Sequence, residues 1–168
     1  SHLYGQSPEI VNNLDIMYMR GEKMFEFLRN EHLLEIVESL FGSEIICSPI
    51  QHLRAKFPQS LAKGNPGFFS GVPWHQDAAV TLEEADPSDI ITFWIPLMDA
   101  TLETGCMEVL PGVFQKGLLL HESSSYGTRI VPESVPEITP LPVPCLKGGM
   151  VIMHKYTPHR SGSNVSNK

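Results

Sequence analysis

From residue 45 onward the chain is broken into short apolar runs, Ile45–Phe57, Phe68–Trp74, Ile90–Met98, Cys106–Leu110 and Met150–Pro158. This interruption limits the possible folds more than any other feature, because each run has the texture of a strand and is bounded by turn residues. Turn signals separate them: Asn65-Pro66-Gly67, Asp86-Pro87-Ser88, Pro111-Gly112 and Gly148-Gly149. Strands that follow one another without intervening helices argue against a parallel α/β sheet. The expected class is mainly β, a sandwich or jelly roll. The 14 prolines and 13 glycines are spread between the runs rather than pooled in a linker, which fits a domain with many turns.

The first 43 residues read differently. Ser7 can cap a helix with Pro8 at its first position, and Leu33, Leu34, Val37, Leu40 and Phe41 recur at helical spacing behind Asn30, with Gly42 as a stop. The spacing predicts helices over residues 7–42 that support a β core over 44–168, in one domain spanning 1–168. Residues 113–142, rich in Ser, Gly and Pro, have the composition of a long insertion, either a lid or a mobile loop.

Composition narrows the function classes. With 19 acidic against 12 basic residues the net charge is -7, and no Lys/Arg cluster could neutralise a row of phosphates, so nucleic acid is not expected as a partner. Cys47, Cys106 and Cys145 are odd in number and lack C-x-x-C spacing, which indicates neither a disulfide framework nor a zinc knuckle and points to a reducing, cytoplasmic setting. No apolar run approaches the ~20 residues of a membrane helix, and Ser1–Glu9 lacks the core of a signal peptide. A chain that opens Ser1-His2 without Met reads as a fragment or a tag remnant. Nothing in it sets an oligomeric state.

The chemistry-bearing segment is Pro73-Trp74-His75-Gln76-Asp77. Residues two apart on a strand point to the same side, so His75 and Asp77 can converge on one ion. His-x-Asp alone is a weak signal. A second His, His159, follows the apolar run Met150-Val151-Ile152-Met153, and in a closed jelly roll the end of that late strand can lie opposite the first. Two imidazoles and one carboxylate occupy one face of an octahedral metal and leave adjacent positions open, two for a bidentate 2-oxo acid and a third for O2. Fe(II) with one Asp and neutral imidazoles also favours an anionic co-substrate.

Trp74-His75-Gln76-Asp77, Thr104-Gly105-Cys106-Met107-Glu108-Val109-Leu110-Pro111-Gly112, Lys147-Gly148-Gly149 and His159-Arg160-Ser161-Gly162-Ser163-Asn164 together resemble the ordered motifs of the phytanoyl-CoA dioxygenase family. The resemblance spans about residues 30–168 and implies a double-stranded β-helix, cupin-like, with N-terminal helices outside. It also implies Fe(II), 2-oxoglutarate as co-substrate, O2, and oxidation of a small organic substrate with release of succinate and CO2. Carried over position by position, it makes His75, Asp77 and His159 the iron ligands. Gln76 and Trp94 would line the co-substrate pocket, and Ser161 would bond the far carboxylate of 2-oxoglutarate. His52, Arg54 and Lys56 alternate on a strand similar to one forming a pocket wall. The family's carboxylate-clamping Arg is expected roughly a dozen residues past His159, beyond Lys168, as a bidentate partner. Arg160 is no substitute, because on a strand it faces away from His159. The intact Asp77 favours hydroxylation over halogenation, in which relatives have a small residue there.

Other readings compete. A cupin-like enzyme could hold Zn or Mn on the same residues without an oxo acid, or a binding module could keep the barrel without turnover. His2, His32, His121 and His154 read as surface or internally satisfied residues, Cys106 as a small buried hydrophobe, and Trp94 by default as core. Glu103 and Glu108 have no fixed separation that would make a glycosidase pair, and no G-x-S-x-G elbow is present. The acidic balance argues mildly against a CoA-bound substrate.

Overall fold

Asn30 begins a helix because its side-chain oxygen accepts the His32 N–H at 3.1 Å, and Gly42 ends it by closing on the Glu38 carbonyl at 2.8 Å with φ +87°. This element, α2 (Glu31–Phe41), follows α1 (Glu22–Leu28). The structure, a computed structural model, describes residues 21–62, 71–124 and 127–167, so the expected cap at Ser7-Pro8 lies outside the described residues. The chain divides into two units, residues 1–55 and 56–168. In the first, Leu33, Leu34, Ile36 and Val37 form the half-buried stripe of α2, and neither helix has a fully buried residue.

The second unit is mainly β, as the short apolar runs predict. Its elements are a short α3 (Gln59–Ala62), then β1 (Val72–His75), β2 (Ile91–Trp94), β3 (Met107–Val109), β4 (His121–Ser124), β5 (Gly127–Ile130), β6 (Leu141–Val143), β7 (Val151–His154) and β8 (His159–Ser161). A four-stranded sheet runs β1-β8-β3-β6, and β2-β7 and β4-β5 form two-stranded sheets. Every strand pair is antiparallel. The buried apolar residues are Ala78, Cys106, Met107, Leu110, Val113, Ile130 and Met153. On β7 the alternation is clean, with Met153 buried and Ile152 exposed. Among the described residues no helix is long and apolar enough to cross a membrane.

Two expectations are corrected. Residues 45–57 form no strand, because no described strand offers that segment a ladder. Only at Pro58 does the chain bridge Asn164, with the Gln59 N–H on the Asn164 carbonyl at 2.7 Å. Nor is 113–142 one loop. It contains a 3-10 turn at Val113–Lys116, the hairpin β4-β5, a second turn at Pro132–Ser134 and strand β6 on the edge of the main sheet. Its Ser, Gly and Pro residues supply the turns of this hairpin-rich stretch rather than a single insertion.

At one crossing the sheet depends on glycine. A Cβ on Gly105 (φ +76°) would lie 2.3 Å from the Gly162 carbonyl oxygen, so only glycine allows the turn before β3 to lie against the end of β8. Lys56 seals this junction, its Nζ donating to the carbonyls of Gly105 and Gly162, the latter at 2.7 Å.

Candidate metal centre

β8 lies between β1 and β3, and His75 and His159 are Cα partners across the β1-β8 pair. Their rings stand 4.1 Å apart between centroids. The strand ends at His75 and Asp77 opens a 3-10 turn, but Gln76 between them keeps an extended backbone (φ -125°, ψ 137°). The alternation therefore runs one step past the strand and returns Asp77 to the side of His75. Asp77 Oδ1 lies 3.8 Å from His75 Nε2 and 3.6 Å from His159 Nε2. The three ligand atoms fall within 4.8 Å of one another.

Each ring is held the same way. His75 Nδ1 meets the Pro73 carbonyl and His159 Nδ1 the Thr157 carbonyl, both at 2.9 Å. A carbonyl only accepts, so both Nδ1 atoms carry the hydrogen and both Nε2 atoms, the ones left to bind a metal when unprotonated, lie on the side of Asp77. The carboxylate is oriented too, since Thr92 Oγ1 donates to Oδ2 at 2.5 Å and leaves Oδ1 facing the imidazoles. Two neutral nitrogens and one carboxylate oxygen, each fixed by an outer hydrogen bond, have the donor chemistry of a divalent first-row metal site with open positions.

The structure brings together some of the sequence-predicted residues and not others. Ser161 lies two past His159 on the same side of β8. Its Oγ accepts the Val72 N–H at 3.1 Å, and no described residue accepts its proton. Trp94 ends β2 opposite Val151, half-buried. Gln76 is fully buried, and its side chain is a structural bridge: Nε2 donates to the carbonyls of Gly117 (2.9 Å) and Tyr156 (2.6 Å), and Oε1 accepts the Leu119 N–H (2.7 Å). Lys56 is spent on the Gly105-Gly162 junction, where burial lowers its amine to about 8. His52 and Arg54 are exposed residues of the first unit and form no strand with Lys56.

Sequence reasoning missed Thr92, whose role depends on a pairing of β2 and β7 that no local pattern announces. His121, read as a surface or internally satisfied residue, is the second: Nδ1 donates to the Leu119 carbonyl at 2.8 Å and Nε2 accepts the Gln76 N–H at 3.2 Å. Burial lowers the His121 pKa, partly opposed by that carbonyl. Cys106 is buried, and desolvation raises its thiol pKa, as suits a packing residue rather than a nucleophile.

Comparison with known proteins decides the family. The profile described as "Phytanoyl-CoA dioxygenase (PhyH)" matches residues 9–168. The chain belongs to the phytanoyl-CoA dioxygenase family. It is 31% identical over 115 residues to phytanoyl-CoA dioxygenase domain-containing protein 1 of Bos taurus, covering 61% of this chain and 38% of the relative. The chain thus spans well under half the length of that curated relative. Among solved structures it is similar to EvdO2 from Micromonospora carbonacea var. aurantiaca, with TM-score 0.50 and 29% identity over 59% of this chain and 41% of that one. EvdO2 has also been solved complexed with 2-oxoglutarate. AviO1 from Streptomyces viridochromogenes shares the fold more completely, with TM-score 0.61 at 19% identity over 92% of this family member and 60% of AviO1.

Proposed function

We propose that this chain carries the core of a non-haem Fe(II) oxygenase on a double-stranded β-helix, which uses 2-oxoglutarate and O2 to hydroxylate a small organic substrate. The observation that carries the reading is the meeting of His75, Asp77 and His159 with both Nδ1 atoms and Asp77 Oδ2 already committed elsewhere. Family membership and the 2-oxoglutarate complex of EvdO2 support it. The overall reaction balances as substrate C–H, O2 and 2-oxoglutarate giving substrate C–OH, succinate and CO2.

Bound Fe(II) would supply the redox chemistry that couples loss of CO2 to oxidation of the substrate. The protein's own contribution is geometric. His75, Asp77 and His159 would hold the ion, and Ser161, whose Oγ accepts the Val72 N–H with its proton uncommitted among described residues, would donate to the remote carboxylate of the co-substrate. Trp94 is assigned to the wall of the co-substrate pocket. Gln76 acts by fixing the backbone between two ligands, since its amide is consumed by three internal hydrogen bonds.

Anaerobic addition of Fe(II) and then 2-oxoglutarate to the protein tests this directly. A weak visible charge-transfer band is expected, absent in Asp77→Ala, and CO2 release from 2-oxoglutarate should follow on admission of air. A wild-type protein that binds Fe(II) but neither develops the band nor releases CO2 refutes the co-substrate assignment. Full activity in Asp77→Ala refutes the ligand assignment.

A further inference from the structure

Between its two pairings with β8, β1 advances three residues, from Val72 to His75, while β8 retreats two, from Ser161 to His159. β1 therefore carries one extra residue, a β-bulge in which Pro73 and Trp74 together oppose Arg160. Because side chains alternate between faces, this one residue decides what looks into the metal centre. Continued without the bulge from Val72 and Ser161, the ladder would set Trp74 across from His159 and turn His75 to the back of the sheet.

On that back face stands an arrangement the proposed reaction does not use. Arg160, between His159 and Ser161, points away from both by alternation, and its guanidinium carbon lies 4.7 Å from the centroid of the Trp74 ring. Its Nε donates to Glu108, the residue directly opposite on β3. Trp74, Arg160 and Glu108 thus link the bulge of β1 to β8 and then to β3, across the two strands that flank the second histidine. The front side of the bulge is tied as well, since the Val72 N–H is taken up by Ser161 Oγ.

We propose that Arg160, clamped by Glu108 and stacked on Trp74, is a positioning residue of the metal centre. It keeps Trp74 behind the sheet, preserves the bulge and so presents His75 to His159. The inference rests on the reading of His75, Asp77 and His159 as metal ligands.

Anaerobic titration of the 168-residue chain with Co(II), whose visible spectrum reports ligand geometry, tests it. Arg160→Gln should weaken Co(II) binding by about tenfold or more, the scale of outer hydrogen-bonding partners, and alter the spectrum at saturating metal. Arg160→Lys, which keeps a cation over Trp74, should recover part of the affinity. Trp74→Leu should resemble Arg160→Gln, and the double variant should be little weaker than either, because the side chains act as a unit. A folded Arg160→Gln with wild-type affinity and spectrum overturns the proposal. Should that variant fail to fold, Glu108→Gln, which keeps the shape and weakens the clamp, takes its place, and wild-type affinity and spectrum there overturn it equally. Asp77→Ala separates the two failures. If it binds Co(II) like wild type, the metal-centre reading falls; if it loses Co(II) while the Arg160 and Glu108 variants keep it, only the clamp does.

Discussion

Thr92 controls which oxygen of Asp77 is available, and removing its hydroxyl gives a sharp test of the centre. Its Oγ1 donates to Oδ2 at 2.5 Å while Oδ1 lies 3.6 and 3.8 Å from the two imidazole nitrogens. Thr92→Val puts a methyl group in place of the hydroxyl and keeps the β-branched shape that suits β2. A hydrogen bond to a charged group contributes about 1.5–3 kcal/mol. The Asp77 side chain is 24% exposed, so water replaces part of the loss and the lower half of that range applies. A cost of about 1.5–2 kcal/mol corresponds to roughly ten- to thirty-fold weaker metal binding. Competition with a chelator of known affinity measures this, with Thr92→Ser, which retains the donor, as the control. Wild-type affinity in Thr92→Val, or a Thr92→Ser as weak as Thr92→Val, refutes the idea that this bond prepares Asp77 for a metal.

Other consequences follow from the neighbouring groups. Gln76→Ala removes three buried hydrogen bonds and leaves the Leu119 N–H and the Gly117 and Tyr156 carbonyls unpaired, so urea denaturation should show a loss of about 3 kcal/mol, and a loss below about 1 kcal/mol contradicts the bridging role. Burial lowers Lys56 from 10.5 to about 8, so the unfolded chain binds the extra proton between those values and stability from this group rises with pH across that window. Cys106, raised above 9.0, acts in the opposite sense at the upper end, so the comparison is with Lys56→Met, in which the rise attributable to the amine should vanish. His121 is lowered from 6.5 by burial, and its Nε2 can accept the Gln76 N–H only when unprotonated. Its contribution is therefore full above about pH 6.5 and lost as pH falls through the lower folded value, and a His121→Gln chain whose urea midpoint falls on acidification as steeply as wild type contradicts this.

Much of the fold was legible because its rules are local. The apolar runs at Phe68–Trp74, Ile90–Met98, Cys106–Leu110 and Met150–Pro158 each overlap an observed strand, and Asn30 and Gly42 cap α2 by the backbone chemistry their residue types allow. The run Ile45–Phe57 has the same texture and forms none, because a strand exists only where another edge accepts its hydrogen bonds, and that is a property of the sheet rather than of the segment. The stretch 113–142 failed for the converse reason. Ser, Gly and Pro mark turns, and a hairpin with turns on either side has the same composition as a loop until the pairing of His121–Ser124 with Gly127–Ile130 is known.

The candidate metal centre divides along the same line. The meeting of His75, Asp77 and His159 was readable because a metal site asks for particular residue types in a short spacing with a late partner, whereas their supports are generic. The Pro73 and Thr157 carbonyls that fix the imidazole tautomers could belong to any residue, and Thr92 is an ordinary strand threonine. Gln76 shows the limit from the other side. The family resemblance assigned it to the co-substrate pocket, yet its extended backbone returns Asp77 to the side of His75, and its amide is taken up by three hydrogen bonds to other parts of the chain. In such a site the residues that touch the ion are set by chemistry, and those that aim them are set by where hydrogen-bond partners are left over once the sheet has formed. The bulge at Pro73 and Trp74 belongs to the second kind: one residue of register, which the spacing of a motif does not announce, decides whether His75 faces His159 or the back of the sheet.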